Sequence, residues 1–264
     1  MTMDPSIAIA ERSDMARRLI AQAQAQAVDL VALSALELCV LGGPGHPLFD
    51  EPVARAWGQL GHRRRRKVMD EVTAGLVERG LLLGAGMLSA ERGSGGTHAL
   101  KPELGLVLAA RSRPSSIVVA DAGRPDLRVP RFFALGDQAE PVRAVVVEEP
   151  AALPEEAAGR FPHVRKLGPL GWLYRYTLLS RERAAEILAE LTISPPGQGG
   201  VAVAPAWTVA AFYPGSGNLD GERLTVQGDG TVARLDRPGI GTSATYEVAG
   251  LRAVMFRLMD GWRR

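Results

Sequence analysis

The hydrophobic pattern of the chain changes near Pro114, and this change restricts the fold more than any other feature. Before Pro114, apolar residues recur at helical spacing, as they do over residues 68–77. After it, apolar runs of strand length such as "SSIVVAD", "RFFALGD" and "VRAVVVEE" alternate with Gly, Asp and Pro. The pattern predicts an α/β (α+β) protein, with a helical part over residues 1–113 and a mixed sheet-plus-helix part over residues 114–264.

Three helices are predicted in the first part. One covers residues 11–41, where apolar residues and Ala predominate. The second lies in "DEPVARAWGQL", with Asp50 as the N-cap and Pro52 in the first turn. The third begins at the basic run "HRRRRK", has apolar residues every four positions, and ends at Gly80 as its C-cap. Each helix has an apolar face that predicts burial against a core.

A hairpin is predicted after the third helix. "LLLGAG" has the pattern of a strand and "SAERGSGGTH" that of a turn. "ALKPELGLVLAA" fits either a returning strand or a short helix that begins near Pro102. Helices followed by a hairpin are the order of a winged helix, so the first part is predicted to be winged-helix-like.

The second part is predicted to combine strands with two helices. "WLYRYTLL" alternates as a strand does, and Ser180 can cap the helix "RERAAEILAEL" that follows. "SPPGQGG", near residues 194–200, is a predicted linker. A strand at "VAVAPAW" and a hairpin turned at Asp229 and Gly230 come next. The last helix has its apolar residues at helical spacing: Leu251, Val254, Met255, Leu258 and Met259.

The single cysteine and the pattern of apolar segments indicate the cellular setting. Cys39 is the only cysteine and lies among apolar neighbours, which favours a buried, inert thiol and a reducing cytoplasm. The N-terminus lacks the pattern of a signal peptide, and no run of about 18 uncharged apolar residues occurs. We therefore expect a cytoplasmic protein that does not enter the membrane.

Motifs for catalysis, cofactors and metals are not found in the sequence. Neither G-x-S-x-G nor a phosphate-binding G-x-x-x-x-G-K-[ST] loop occurs, and the four histidines are scattered. The acid pairs at 148–149 and 155–156 are interpreted as solvated loop charges. Trp172, Tyr174 and Tyr176 alternate and are interpreted as packing residues of a strand. We expect no cofactor, no metal and no enzymatic activity.

The candidate contact site is a run of five cations at the start of the third predicted helix. Positive charge there is opposed by the helix dipole. The run could be solvated, with Arg66 and Lys67 paired to Asp70 and Glu71. It could instead receive an acidic protein partner or contact nucleic acid. The five candidate residues are Arg63, Arg64, Arg65, Arg66 and Lys67.

The local charge balance weakens the nucleic-acid interpretation. Residues 1–113 contain 14 Lys and Arg and 12 Asp and Glu, so their net charge is only +2. A domain that reads DNA is usually far more basic. The predicted wing adds only Arg92 and His98. A DNA-binding regulator is therefore the alternative to a protein-binding protein.

The order of several segments resembles the EspG family of type VII (ESX) secretion chaperones of actinobacteria. The resemblance rests on "LSALELCVL", "VTAGLVERGLL", "LKPELGLVLAARSRPSSIVV", "EPVRAVVVEE" and "ERAAEILAELTISPPGQGGVAVAP". It includes an L-x-x-R-G-L helix end, an L-x-P-x-L helix start and a Pro/Gly linker before a strand. The resemblance implies a cytosolic, non-enzymatic α/β protein with two related subdomains. It also implies a helical PE–PPE-type substrate pair as the partner.

Overall fold

The computed structural model describes residues 5–42, 50–83, 99–121, 129–136, 144–151, 168–193, 207–212, 222–226, 233–237, 240–246 and 248–259. These residues form the mixed α/β fold that the sequence predicts. None of the described helices is long and apolar enough to cross a bilayer.

The elements up to residue 112 are mainly helical. In chain order they are α1 (Pro5–Ala23), β1 (Val28–Ser34), α2 (Ala35–Gly42), α3 (Glu51–Gly58), α4 (His62–Glu78), β2 (Leu82–Leu83), β3 (Ala99–Leu100) and α5 (Pro102–Ser112). The second and third predicted helices are confirmed as α3 and α4.

The elements after residue 112 are mainly strands. They are β4 (Ser116–Asp121), β5 (Arg131–Leu135), β6 (Ala144–Ala151), a 3-10 helix (Gly168–Gly171), β7 (Leu173–Ser180), α6 (Arg181–Ile193), β8 (Trp207–Phe212), β9 (Glu222–Val226), β10 (Ala233–Arg237), β11 (Ile240–Tyr246) and α7 (Val248–Met259). The strand and helix predicted around Ser180 are confirmed as β7 and α6.

The single helix predicted over residues 11–41 is wrong in its middle, because β1 separates α1 from α2. Val28–Ser34 is a strand because it pairs beside β7, which lies about 140 residues further along the chain. Such a pairing overrides local helix propensity. Ser34 then ends the strand and starts α2 without a loop.

The predicted hairpin is confirmed. Residues 99–110, which were predicted to form either a returning strand or a short helix, contain the strand β3 followed by the start of the helix α5. Leu82 pairs with Leu100, and Leu83 pairs with Ala99, in an antiparallel two-stranded sheet. α5 then begins at Pro102. Proline suits the first position of a helix, because an amide hydrogen there would have no acceptor within the helix. The predicted turn "SAERGSGGTH" lies outside the described residues.

The large sheet has the strand order β1-β7-β6-β5-β4-β8-β9-β10-β11 in the described chain. Every pair from β6 to β11 is antiparallel. One face of β4, β5, β6, β8 and β9 packs with α6 and α7 in a continuous apolar core. α7 places Leu251, Val254, Met255, Leu258 and Met259 in this core, as predicted.

Two predictions for the end of the chain are only partly covered by the described residues. β9 and β10 pair antiparallel, as in the predicted hairpin, although its turn at Asp229 and Gly230 lies outside the described residues. Residues 201–206 of the predicted strand "VAVAPAW" also lie outside the described residues, and β8 begins at Trp207. β11 was not predicted.

The chain divides into two compact units. The first comprises Met1–Arg17, Leu30–Ser112 and Ala151–Arg175. The second comprises Arg18–Asp29, Arg113–Pro150 and Tyr176–Arg264. One division, after Ser112, lies within one residue of the predicted boundary after residue 113. The other divisions fall within or near α1, β1, β6 and β7, and the predicted linker near 194–200 lies outside the described residues.

Candidate functional site

The first turns of α4 carry the five predicted cations. α4 begins after Gly61, which has extended backbone angles and provides no capping side chain. Val68 and Leu76 are buried and fix the helix to its unit. With this orientation four cations are exposed and one is half-buried. The exposed four, Arg63, Arg64, Arg66 and Lys67, are called the α4 cations below.

Arg65, the half-buried cation, caps the C-terminal end of the preceding helix, α3. Its Nη2 donates to the carbonyl oxygens of Trp57, at 2.8 Å, and Gly58, at 3.3 Å. Its guanidinium carbon also lies 5.0 Å from the centroid of the Trp57 ring. A cation at the C-terminal end of α3 satisfies free carbonyl groups and complements the helix dipole. Arg65 therefore has a structural role and fixes the start of α4 against α3.

The predicted ion pairs of the α4 cations form only in part. Lys67 Nζ lies 3.8 Å from Glu71 Oε1, as predicted, with both side chains largely exposed. The predicted pair between Arg66 and Asp70 is absent. Among the described residues, Arg63, Arg64 and Arg66 form no ion pair. Three guanidinium groups therefore face solvent at one helix end.

Charge changes sign along the exposed side of α4. The cations occupy residues 63–67, and the exposed acids Asp70, Glu71 and Glu78 follow. Helices are stabilised by the opposite arrangement, with acids near the N-terminus and cations near the C-terminus. The observed arrangement has an electrostatic cost, which burial of Val68 and Leu76 offsets.

The L-x-x-R-G-L motif ends α4 in a Schellman arrangement. Gly80 has a φ of 65°, a conformation that disfavours residues with a Cβ atom. The Gly80 amide donates to the carbonyl of Val77, and the Leu81 amide donates to that of Leu76, each at 2.9 Å. Leu76 and Leu81, at the two positions that are usually apolar in this motif, are both buried. The motif is thus explained by helix termination.

Arg79, in the same motif, joins α4 to the junction of β1 and α2. Its Nη1 donates to Glu37 Oε1 at 2.5 Å, and its Nη2 donates to the carbonyl of Ala32 at 2.6 Å. Glu37 Oε2 accepts from the amide and hydroxyl of Ser34, at 2.7 and 3.0 Å. The Glu37 amide donates to Ser34 Oγ at 3.2 Å, which completes a capping box. The S-x-x-E spacing of Ser34 and Glu37 is the sequence signature of this box, but it lies inside the single helix predicted over residues 11–41.

A second buried polar cluster lies on the large sheet. Arg131 Nη1 on β5 donates to Glu148 Oε1 on β6 at 2.5 Å. Tyr176 on β7 donates from its hydroxyl to Glu148 Oε2 at 2.6 Å. The Glu148 side chain is fully buried, so its interpretation as a solvated loop charge is wrong. Residues 131 and 148 face each other in the β5–β6 register, which the sequence pattern does not reveal.

Two tyrosines of β7 pack in the interior, as predicted. Tyr174 and Tyr176 are both buried. The Tyr174 hydroxyl donates to Asp50 Oδ2 at 2.6 Å. Asp50 does occupy the N-cap position of α3, but its side chain makes no capping hydrogen bond there. The Asp50 carboxylate therefore binds a tyrosine instead of the helix end.

Cys39 on α2 is buried, as predicted, and burial raises the pKa of its thiol to about 12. The thiol is thus neutral near pH 7 and is a poor nucleophile. Within the described ranges, no group of three His, Cys, Asp or Glu side chains is placed to hold a metal ion.

No protein-family model and no curated protein matches this chain. The resemblance to the EspG family therefore stays a prediction.

Proposed function

We propose that the protein is a non-enzymatic, cytoplasmic protein-binding protein, similar to a type VII secretion chaperone, whose partner is a helical protein of the PE–PPE kind. The observation that carries the proposal is the exposure of the α4 cations on a helix whose start is fixed by Arg65. Exposed charges on a rigid helix speed the encounter with an oppositely charged partner and make the binding selective.

The buried polar clusters support a binding role by their own geometry. The side chains of Glu37 and Glu148 are at most 7% exposed, and each accepts hydrogen bonds from an arginine and a hydroxyl group. Carboxylates held in this way stabilise the fold and have no access to a substrate. The exposed cations of α4, in contrast, are accessible to a partner.

DNA binding is the second candidate function, and the α4 cations are also the observation that favours it. A helix start with four exposed cations can contact phosphates. Asp70, Glu71 and Glu78 lie further along the exposed side of α4 and would repel a duplex that follows the helix. This repulsion places DNA binding second.

The two functions are distinguished by a pull-down with the tagged protein from its native host, with nuclease added to half of the sample. We expect a small helical protein to be retained in both halves. The complex is then rebuilt from the two purified proteins, to exclude indirect capture.

Titration of the protein with duplex DNA tests the second candidate function directly. If the α4 cations bind phosphates, the logarithm of the association constant falls with the logarithm of salt concentration with a slope of about −3.6. Sub-micromolar duplex binding at physiological salt, lost on substitution of Arg63, Arg64 and Arg66 in a folded protein, would reject the protein-binding proposal.

A further inference from the structure

We propose that the α4 cations recognise an acidic segment of the polypeptide partner, so that carboxylates on the partner determine its selection. This inference rests on the proposed function and adds the chemistry of the contact. The occupant is a helical segment of another protein whose acidic residues face Arg63, Arg64 and Arg66.

The α4 cations complement a carboxylate-rich segment in charge. Arg63, Arg64 and Arg66 form no ion pair with the described residues, and the N-terminal end of a helix adds positive potential. Arginine has a planar group that binds a carboxylate through two parallel hydrogen bonds. Three such groups within four residues form a surface that attracts several carboxylates at once.

The basic surface of α4 is short. Residues 63–67 extend along the helix axis by only about 6 Å, given the rise of about 1.5 Å per residue. Beyond Lys67 the exposed charge becomes acidic, at Asp70, Glu71 and Glu78. A local group of carboxylates fits such a short basic surface, whereas a duplex presents phosphates along its whole length.

The start of α4 is held rigidly. Arg65 belongs to the same run but is held by the Trp57 ring and by two carbonyl oxygens. It fixes the backbone that carries the α4 cations, so little backbone conformational freedom is lost when a partner binds. Preorganisation of this kind raises affinity without new contacts.

The test measures binding of a fluorescent helical peptide that has Glu residues at three- and four-residue spacing. A control peptide has Gln in place of each Glu, and a DNA duplex is the third probe. The variant protein, called the α4 variant, carries Arg63→Gln, Arg64→Gln and Arg66→Gln. The matched control carries Arg17→Gln, Arg18→Gln and Arg257→Gln, which removes the same charge from exposed helical positions.

At low salt we expect the Glu peptide to bind the wild type and the matched control equally. The α4 variant should bind it about tenfold more weakly, as expected for three exposed ion pairs. This difference should shrink as salt rises to about 0.5 M, because salt screens exposed charges. The Gln peptide should not distinguish the three proteins.

Three results would overturn the inference: equal binding of the Glu and Gln peptides, equal binding of the Glu peptide by wild type and α4 variant, or tighter binding of the duplex than of the Glu peptide at physiological salt. The purified native partner separates this inference from the proposed function. If that partner binds wild type and α4 variant equally, the inference is wrong but the proposed function stands. If only DNA is bound, both are wrong.

Discussion

Arg79 and Glu37 form an ion pair at 2.5 Å across 42 residues of sequence, and it joins the end of α4 to the first turn of α2. The Glu37 side chain is 7% exposed and that of Arg79 is 25% exposed. The pair therefore combines a buried carboxylate with a cation that keeps some contact with water. Loss of Arg79 would leave the carboxylate without its charged partner.

The first prediction concerns this pair. Arg79→Ala should lower the free energy of unfolding by about 2–3 kcal/mol, because a buried carboxylate loses a charged donor and the Ala32 carbonyl loses a hydrogen bond. Arg55→Ala, which removes the exposed pair with Glu51, should cost at most about 0.5 kcal/mol. Thermal unfolding of both variants measures the difference. Equal costs would show that the Arg79 pair contributes no more than a surface pair.

The second prediction concerns the cluster around Glu148. Tyr176→Phe removes a donor from a fully buried carboxylate and should cost about 1–3 kcal/mol. Arg131→Met should cost more, about 3–5 kcal/mol, because the buried Glu148 carboxylate loses a charged hydrogen-bond donor. Combining Arg131→Met with Glu148→Leu and Tyr176→Phe should restore much of that loss, because all three polar side chains of the cluster are then replaced by apolar ones. A triple variant less stable than Arg131→Met alone would contradict this account.

Helices with strong local signals were predictable from the sequence. α4 has apolar residues every four positions and ends at Gly80, and α6 begins after Ser180, whose Oγ accepts from the Arg183 amide at 3.1 Å. Such signals lie within a few residues of the boundaries they set. β1 has no comparable local signal, because its identity depends on pairing beside β7. β11 likewise depends on pairing with β10.

The same distinction applies to the side chains of the candidate site. The α4 cations are consecutive, so their shared location was visible in the sequence. The separate role of Arg65 was not, because it depends on how α3 lies against α4. The burial of Glu148 depends on strand register and was also hidden. The Ser34–Glu37 capping box was visible as S-x-x-E and was overlooked within a predicted continuous helix.

The third prediction uses two glycines of the α4 region. Gly80→Ala should destabilise the protein by about 1 kcal/mol, because a φ of 65° strains a residue with a Cβ atom. Gly75→Ala lies inside α4, where an added Cβ meets no atom within 4 Å, and should stabilise it by about 0.5–1 kcal/mol. Thermal unfolding should show shifts of opposite sign. Shifts of the same sign would contradict the Schellman assignment.

The fourth prediction concerns the pH dependence that Cys39 adds to stability. Burial raises its pKa in the folded protein to about 12, above the ordinary value of 9.0. The unfolded state therefore loses its thiol proton first, and this contribution to stability falls as pH rises from about 9 to about 12. Cys39→Ala should remove this part of the slope when unfolding is measured across that range. An unchanged slope would show that the thiol does not contribute.

A thiol reagent gives an independent measurement of the same burial. At pH 8 the folded protein should react far more slowly than the protein in denaturant, because reaction requires an accessible thiolate. Fast reaction of the folded protein would contradict the buried, neutral state of Cys39.

The last prediction tests whether the start of α4 is unfavourable for stability. Arg63→Glu and Arg64→Glu place acids in the first turn of the helix, where the dipole favours them, and each should raise the free energy of unfolding by about 0.3–1 kcal/mol at low salt. Lys67→Glu is the matched comparison, because it breaks the pair with Glu71 and places like charges four residues apart. It should be neutral or destabilising. If Arg63→Glu and Arg64→Glu also destabilise the protein, the α4 cations are needed for folding, and their exposure would no longer support a binding role.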